Sequence, residues 1–488
     1  MAEGLIVSTA SSSSVVERLK IAEEYLKDLA ERSLVIIAEN DQVSATRRIN
    51  SCRIHDLVRD FCILQGKRED SFEIVDFTKG IERSSLTSRI AVYLDDYIHA
   101  DVDDTTSYIP EDNHIRSLIF FGKDKSPSKS TWPEEVADLK DFQWTRVLNF
   151  DGVDFRGANN NKLLPKNIDK LLYLRYLGFR GCYLEKLALS FTNFLYLETL
   201  DLRVTSSSKM IIPNVLWKLS NLLHLYFPVS FQSGDQNKLI KLDGLTRLEI
   251  LENFRVGICD VDDFQQFKRL QIFTVLYRDG NTLDMNKIME FINGNGYLSH
   301  TSLTLEKFDC YSKARRSLLV NVLTSNAIHC LHLEGHLKRM PKDLMIIGQN
   351  FTKMVFDGCE FLEDPMPILG GVKQLMTLVL CNDAIEGDEI VFPEYGFEEL
   401  RSLKIANLQY LENLVLLDSA AMPNLSILTI EQCGKLEELP DEVMDIPTLA
   451  ELKIGSMSEV FEERVRQSVK EQKEMGNDQL TATFYKCK

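Results

Sequence analysis

His329-Cys330-Leu331-His332, with His336 close behind, is the stretch of this 488-residue chain whose residue types come nearest to a metal site. On a strand, side chains alternate between faces, so Cys330 and His332 share one face and His329 takes the other. A tetrahedral zinc site needs three or four converging ligands, so the pattern predicts ordinary strand residues and no metal. Phosphate chemistry is the second possibility. A phosphate loop requires G-x-x-x-x-G-K-[ST], whose backbone N–H groups cradle the phosphates while the Lys neutralises them. The Gly-Lys pairs here, Gly66-Lys67, Gly122-Lys123 and Gly434-Lys435, are followed by Arg68, Asp124 and Leu436. The acidic run from Asp101 to Asp104, after Asp95-Asp96, lacks the Gly and Glu spacing of a calcium loop and reads as a solvated loop. No G-x-S-x-G occurs, and the Cys and His residues do not single out a nucleophile with its base. The expectation is a chain that is not an enzyme.

The elements that must carry these residues come from a repeat. Leu174-Leu177-Phe179 fills an L-x-x-L-x-L phrase, Cys182 takes the Asn/Cys slot, and Leu184 and Leu187 follow. The phrase returns at Leu197-Leu200-Leu202, Leu222-Leu225-Phe227, Phe351-Met354-Phe356, Leu375-Leu378-Leu380, Leu400-Leu403-Ile405, Leu425-Leu428-Ile430 and Leu449-Leu452-Ile454. Within each run it recurs every 23 to 25 residues. Weaker copies at Ile115-Leu118-Phe120, Leu148-Phe150, Leu248-Leu251, Leu270-Phe273-Val275, Leu303-Leu305 and Ile328-Leu331-Leu333 bring the array to about fourteen repeats, from roughly 113 to 455. This period predicts an α/β leucine-rich-repeat solenoid, a horseshoe with one short strand per repeat and a broad concave face.

Function in such a fold lives on side chains between the leucines. These point outward while the leucines point into the core. The expected binding face therefore carries Tyr176 and Arg180 beside Gly178, then Asp201 and Arg203 beside Thr199, then His224 and Tyr226. Tyr and Arg are favoured interface anchors. Further along, Lys404, Glu431 and Lys453 mix charges. A formal charge of −17 argues against phosphate-backbone binding and against anionic membranes. No apolar run reaches the length of a membrane span, and the opening residues lack the layout of a signal peptide. Cys182, Cys359 and Cys433 occupy the Asn/Cys slot, where a small polar group satisfies turn backbone, so free thiols in a reducing, cytoplasmic setting are expected.

Residues 1–75 have a different texture. Val16, Leu19, Ala22, Leu26 and Leu29 share one helical face. Leu34 to Ala38 reads as a strand, 39–48 as a loop, Ile49 to Ile54 as a return strand, and HDLVRDFCILQ as a helix with Leu57, Phe61 and Leu64 inward. Helix, two-stranded wing and helix make a partial winged-helix unit. Its last helix carries Arg59 between Asp56 and Asp60, a poor surface for DNA.

YLKDLAERSLV, CRIHDLVRDFC and then leucine-rich repeats resemble plant coiled-coil-type nucleotide-binding (NB-ARC) leucine-rich-repeat disease resistance proteins. Ile54-His55-Asp56 is similar to that family's Met-His-Asp motif, with Ile for Met. The opening Met1 to Ile6 and the tail from Gln472 to Leu480 resemble the corresponding parts of family members. The resemblance implies that His55 and Asp56 help close the winged helix over ADP in an intact receptor switched between ADP and ATP. It implies 1–75 as the end of the nucleotide-binding unit, 76–112 as linker and solenoid cap, and 113–488 as repeats with a C-terminal cap. The partner would be a pathogen effector or a guarded host protein, and possible docking to the receptor's own nucleotide-binding domain follows too. A stand-alone repeat scaffold in signalling, or an inert remnant, remain the alternatives.

Because the phosphate loop is missing, the chain should hold no nucleotide of its own. Titration calorimetry with ADP and with ATP is expected to show no binding tighter than about 1 mM, and a micromolar constant would contradict this.

Overall fold

The computed structural model describes residues 15–37, 52–76, 87–94, 114–122, 139, 142–155, 164–165, 167–205, 209–235, 238–278, 281–341, 347–475, 477 and 479–487. The head consists of α1 (Val15–Glu31), β1 (Val35–Ile37), β2 (Cys52–Ile54) and α2 (Asp56–Arg68), with β1 paired to β2. These are the helix, wing and helix expected from the apolar spacing. The inward assignment of α2 is not met. Leu57, Phe61 and Leu64 are 75%, 64% and 50% exposed. The helix instead turns Gly66 inward, its one buried residue, against the Phe72 ring, where a Cβ would lie 2.1 Å from a ring carbon. Close approach on the glycine side leaves the apolar stripe outward.

The chain divides into two compact units, residues 1–36 with 52–273, and 37–51 with 274–488. In the first, β3 (Glu73–Asp76), β4 (Arg89–Tyr93), β5 (Ser117–Phe121), β6 (Val147–Asp151), β7 (Tyr176–Gly178) and β8 (Thr199–Asp201) pair side by side, all parallel. A short β9 (Met210–Ile212) pairs off the ladder with β11 (Phe231–Ser233), while β10 (His224–Tyr226) and β12 (Ile250–Arg255) continue it. β13 (Ile272–Arg278) spans the division. The second unit holds β14 (His300–Glu306), β15 (Cys330–Glu334), β16 (Lys353–Asp357), β17 (Thr377–Cys381), β19 (Ser402–Ala406), β21 (Ile427–Glu431), β22 (Glu451–Gly455) and β23 (Thr481–Tyr485) as a parallel ladder. A minor sheet pairs β18 (Glu389–Phe392) with β20 (Asn413–Leu416).

The repeat phrase dictates the register. Leu177 aligns with Leu200 and Leu200 with Leu225, as Leu378 does with Leu403 and Leu403 with Leu428. The third apolar slot builds a continuous stack: the Phe120, Phe150 and Phe179 rings lie 5.2 and 5.5 Å apart, all fully buried. At the slot that closes the phrase, the Cys182 thiol donates to the Phe150 carbonyl at 2.7 Å, and Cys359 to Leu333 at 3.4 Å. Burial holds both thiols above their ordinary range. Further on, Asn407 donates to Asn382 at 2.9 Å and Asn382 to Asp357 at 2.8 Å, a hydrogen-bonded chain down three rungs.

Where the spacing loosens, whole helices fill the return paths. α3 (Thr282–Gly294) precedes β14 and α4 (Lys313–Leu323) precedes β15, capped by the side chains of Asn281 and Ser312. The ladder also outruns the expected bounds. β3 and β4 lie ahead of residue 113, partly in the stretch expected as linker, and β23 follows 455 after α5 (Met366–Leu369), α6 (Asp441–Met444) and α7 (Glu459–Glu474). Their apolar phrases are too short or too distant in sequence to show the period. No helix among the described residues is long and apolar enough to cross a membrane.

Inward and outward positions differ in energy. Leu403, 1% exposed, lies in the middle slot, so Leu403→Ala should cost about 2–5 kcal/mol. Lys404 faces out and pairs with Glu431 at 2.8 Å, and Lys404→Ala should cost under about 1 kcal/mol. Denaturant melts giving equal losses would contradict the assignment.

Candidate interaction surface on the first ladder

The outward positions of β7, β8, β10 and β12 form one surface, because in-register strands bring equivalent repeat positions side by side. Asp201 is aligned with Gly178 on one side and Tyr226 on the other, and Tyr226 with Glu252. Strands in a sheet lie roughly 4.8 Å apart, so these side chains cannot avoid one another. Arg203 resolves the crowding. Its Nε donates to Asp201 at 2.9 Å, its Nη1 lies 3.6 Å from Glu252, and its guanidinium sits 4.3 Å over the Tyr226 ring. Asp201 also accepts from the Arg203 backbone N–H at 3.1 Å. Tyr176 leans over Gly178, where a Cβ would fall 2.2 Å from Asn149 Oδ1 and 2.9 Å from the Tyr176 hydroxyl, so only glycine fits. Burial, then the Asp201 charge, pushes the Tyr176 phenol up to about 12. Burial and Glu252 raise Tyr226 further.

The expectation that all six residues stand open to solvent is corrected. Arg180 is exposed, while Tyr176, Arg203 and Tyr226 are half-buried. Asp201 and His224 are buried, at 2% and 8% exposure. His224 does not join the Arg203 network: its Nδ1 lies 2.8 Å from Thr199 Oγ1. Arg203 covers Asp201, while α1 packs on this face beside His224. Arg18 reaches Glu249 at 3.1 Å, and Leu19 packs against Ile250 and Ile272 beside Tyr226. Burial first, then the Arg18 guanidinium, pulls the His224 imidazole down to about 4. Glu252 was missed although it holds the repeat position of Asp201 two phrases further on, a signal available in the sequence. Arg18 and Glu249 had none, since 231 residues separate them.

The motif at the head lies elsewhere. Ile54 ends β2, 47% exposed. His55 caps α2, its Nδ1 accepting from the Leu57 N–H at 3.4 Å, and Asp56 opens the helix with Arg59 at 3.4 Å. Arg59 also pairs with Asp60 at 3.2 Å. In the second unit, Cys330 Sγ lies 3.9 Å from His300 Nε2, and His332 lies 3.8 Å from Asp357. Among the described residues, no three His, Cys, Asp or Glu side chains converge on a metal position. The opening Met1 to Ile6 and the acidic run at 101–104 lie outside the described residues.

A family model of the leucine-rich repeat region matches residues 114–481. The chain belongs to the leucine-rich repeat family. The winged helix domain of disease resistance proteins matches residues 1–62 ahead of it. Similar proteins include a disease resistance protein of Arabidopsis thaliana, 28% identical over 450 residues, covering 91% of this chain and 45% of the relative. An RPP8-like disease resistance protein of the same plant is 27% identical over 459 residues, 92% of this chain and 47% of the relative. The chain thus spans about half the length of the curated relatives it matches. Among solved structures, a leucine-rich-repeat protein of Leptospira interrogans matches with a TM-score of 0.40 at 17% identity, covering 73% of this chain and 93% of that one. A chain of a TLR13–ssRNA13 complex matches with 0.43 at 14%, covering 85% and 55%.

In this repeat protein the buried carboxylate is the costly group. Arg203→Ala should leave Asp201 short of its strongest donors and lower stability by about 1–3 kcal/mol in urea melts. Adding Asp201→Ala should recover part of the loss. A single variant as stable as the parent would contradict the pairing.

Proposed function

We propose that this chain is the recognition part of a plant defence receptor of the disease-resistance class, acting by protein contact without catalysis of its own. The observation that carries the reading is the order of parts: a disease-resistance winged helix at 1–62, then leucine-rich repeats at 114–481. The relatives share this stretch over 91% and 92% of the chain.

On this reading the ladder face contacts a pathogen effector or a guarded host protein in the cytoplasm. The Arg203–Tyr226 pair, with Tyr176 and Arg180 beside it, offers the aromatic and guanidinium anchors that dominate protein interfaces. The head belongs to an ADP/ATP switch formed with a nucleotide-binding domain, and the ladder helps to restrain that switch. Ile54, His55 and Asp56 sit at the β2–α2 junction, on a surface open to such a domain. Recognition and switching are then coupled only to the extent that the partner binds the open form more tightly than the closed one.

The test uses a receptor in which this chain is joined to the nucleotide-binding region of a relative. Asp56→Val removes the charge and hydrogen bonds with which Asp56 would brace the closed form. A loss of about 1–3 kcal/mol of closed-state preference raises the open population roughly 5- to 150-fold while that state is rare. Expressed in leaf tissue without a pathogen, the variant should cause spontaneous cell death and the parent should not. Equal quiescence at equal protein level would remove Asp56 from the switch.

A further inference from the structure

We propose that α1 is a releasable cover on the ladder face, held down while His224 is neutral and loosened when His224 takes a proton. The inference stands on geometry and does not depend on the defence reading. α1 holds the face at two places: Arg18 on Glu249 at 3.1 Å, and Leu19 on Ile250 and Ile272. On the neighbouring strand β10, His224 is aligned with Ile250 and is 8% exposed. Its Nδ1 is committed to Thr199, and its Nε2 is buried with no hydrogen-bond partner among the described residues. Arg18 Nε is buried and unpartnered in the same way. A contact that leaves two buried polar atoms unpaired is weaker than its area suggests, because each has given up water for nothing. Such a contact is suited to opening.

The charges facing His224 decide the direction. From α1 comes the Arg18 guanidinium. From β8 comes the neutral Thr199 hydroxyl, and along β10 the neutral Tyr226 phenol. Glu249, on the turn into β12 with its N–H bonded to Leu223, carries the nearby negative charge, and Arg18 already holds it. A protonated His224 would therefore place a second cation under Arg18 and a second buried donor with no acceptor. The covered imidazole sits at about 4 against 6.5 for a free one. Its folded value is depressed, so the covered form binds fewer protons than the open form. The preference for covering is complete above about 6.5 and is lost as pH falls through that value toward 4. Between pH 7.5 and pH 5 this lowers the covered-to-open ratio by up to about thirtyfold, the limit reached when the uncovered imidazole titrates as a free one. Glu249 works the other way: burial raises its carboxyl, so acid favours the covered form at that residue. The two groups can therefore be told apart by sign.

The test is hydrogen–deuterium exchange on the full chain at pH 7.5 and pH 5. Rates are corrected for the intrinsic pH dependence of exchange and referenced to α7, which packs in the other unit. Protection of α1 amides should fall at pH 5 by up to about thirtyfold relative to α7. In His224→Gln, which keeps a side-chain hydrogen-bonding group and cannot be protonated there, α1 should be equally protected at both pH values. His224→Asn serves as a second neutral variant should the first loosen the neighbouring strands. Glu249→Gln should leave the acid-driven loosening in place. Equal α1 protection at the two pH values in the parent chain would overturn the proposal. So would a parent-like drop persisting in both His224 variants, or a response lost in Glu249→Gln alone.

Discussion

The in-register parallel ladder is the constraint on which everything else in this protein depends. Each strand is only three to seven residues long, and no strand this short is stable alone. It survives because its backbone is paired on both sides and its two or three apolar side chains stack on those of its neighbours. A slip of one residue would turn Leu403 out and Lys404 in, and would do so against Leu378 and Leu428 at once. The repeat therefore fixes itself: each rung sets the register of the next.

The same constraint carries over to polar positions. Equivalent side chains recur at strand spacing, so a polar group in one rung can satisfy its copy in the next. The Asn407–Asn382–Asp357 chain does this at the ends of the strands, where the Cys182 and Cys359 thiols satisfy backbone carbonyls of the preceding rung instead. On the outward face the recurrence is less regular, and the side chains must find partners across rungs. Arg203 serves Asp201, Glu252 and the Tyr226 ring together. A surface assembled in this way is already partly neutralised and rigid before any partner arrives, which lowers the entropy lost on binding.

The head is bound to the ladder rather than appended to it. One face of α1 has the apolar spacing of an ordinary amphipathic helix, and Leu19 of that face packs on Ile250 and Ile272. α2 does the opposite: its glycine side meets Phe72 and its apolar stripe looks outward. The membership of the chain in the leucine-rich repeat family accounts for the ladder. The disease-resistance winged helix at 1–62 accounts for the head, and the proposed function rests on the two being joined in this order.

The sequence alone determined the repeat, its phrase, the inward residues and the slot cysteines, because all of these rest on local periodicity. The helix, wing and helix of the head were legible for the same reason, whereas the motif at Ile54, His55 and Asp56 was read from its resemblance to the disease-resistance family. It also pointed to the strands that carry Tyr176, Asp201 and Tyr226, and alternation placed those side chains outward. What alternation cannot determine is what lies above an outward side chain. Asp201 is buried by Arg203 reaching back over it, and His224 by a helix from the far end of the chain. Arg18 and Glu249 meet across 231 residues. The direction of α2's apolar stripe depended likewise on Gly66 and Phe72 meeting around a turn. The tertiary structure decided these points because burial depends on neighbours brought together through space, and no period in the sequence records which distant element will arrive.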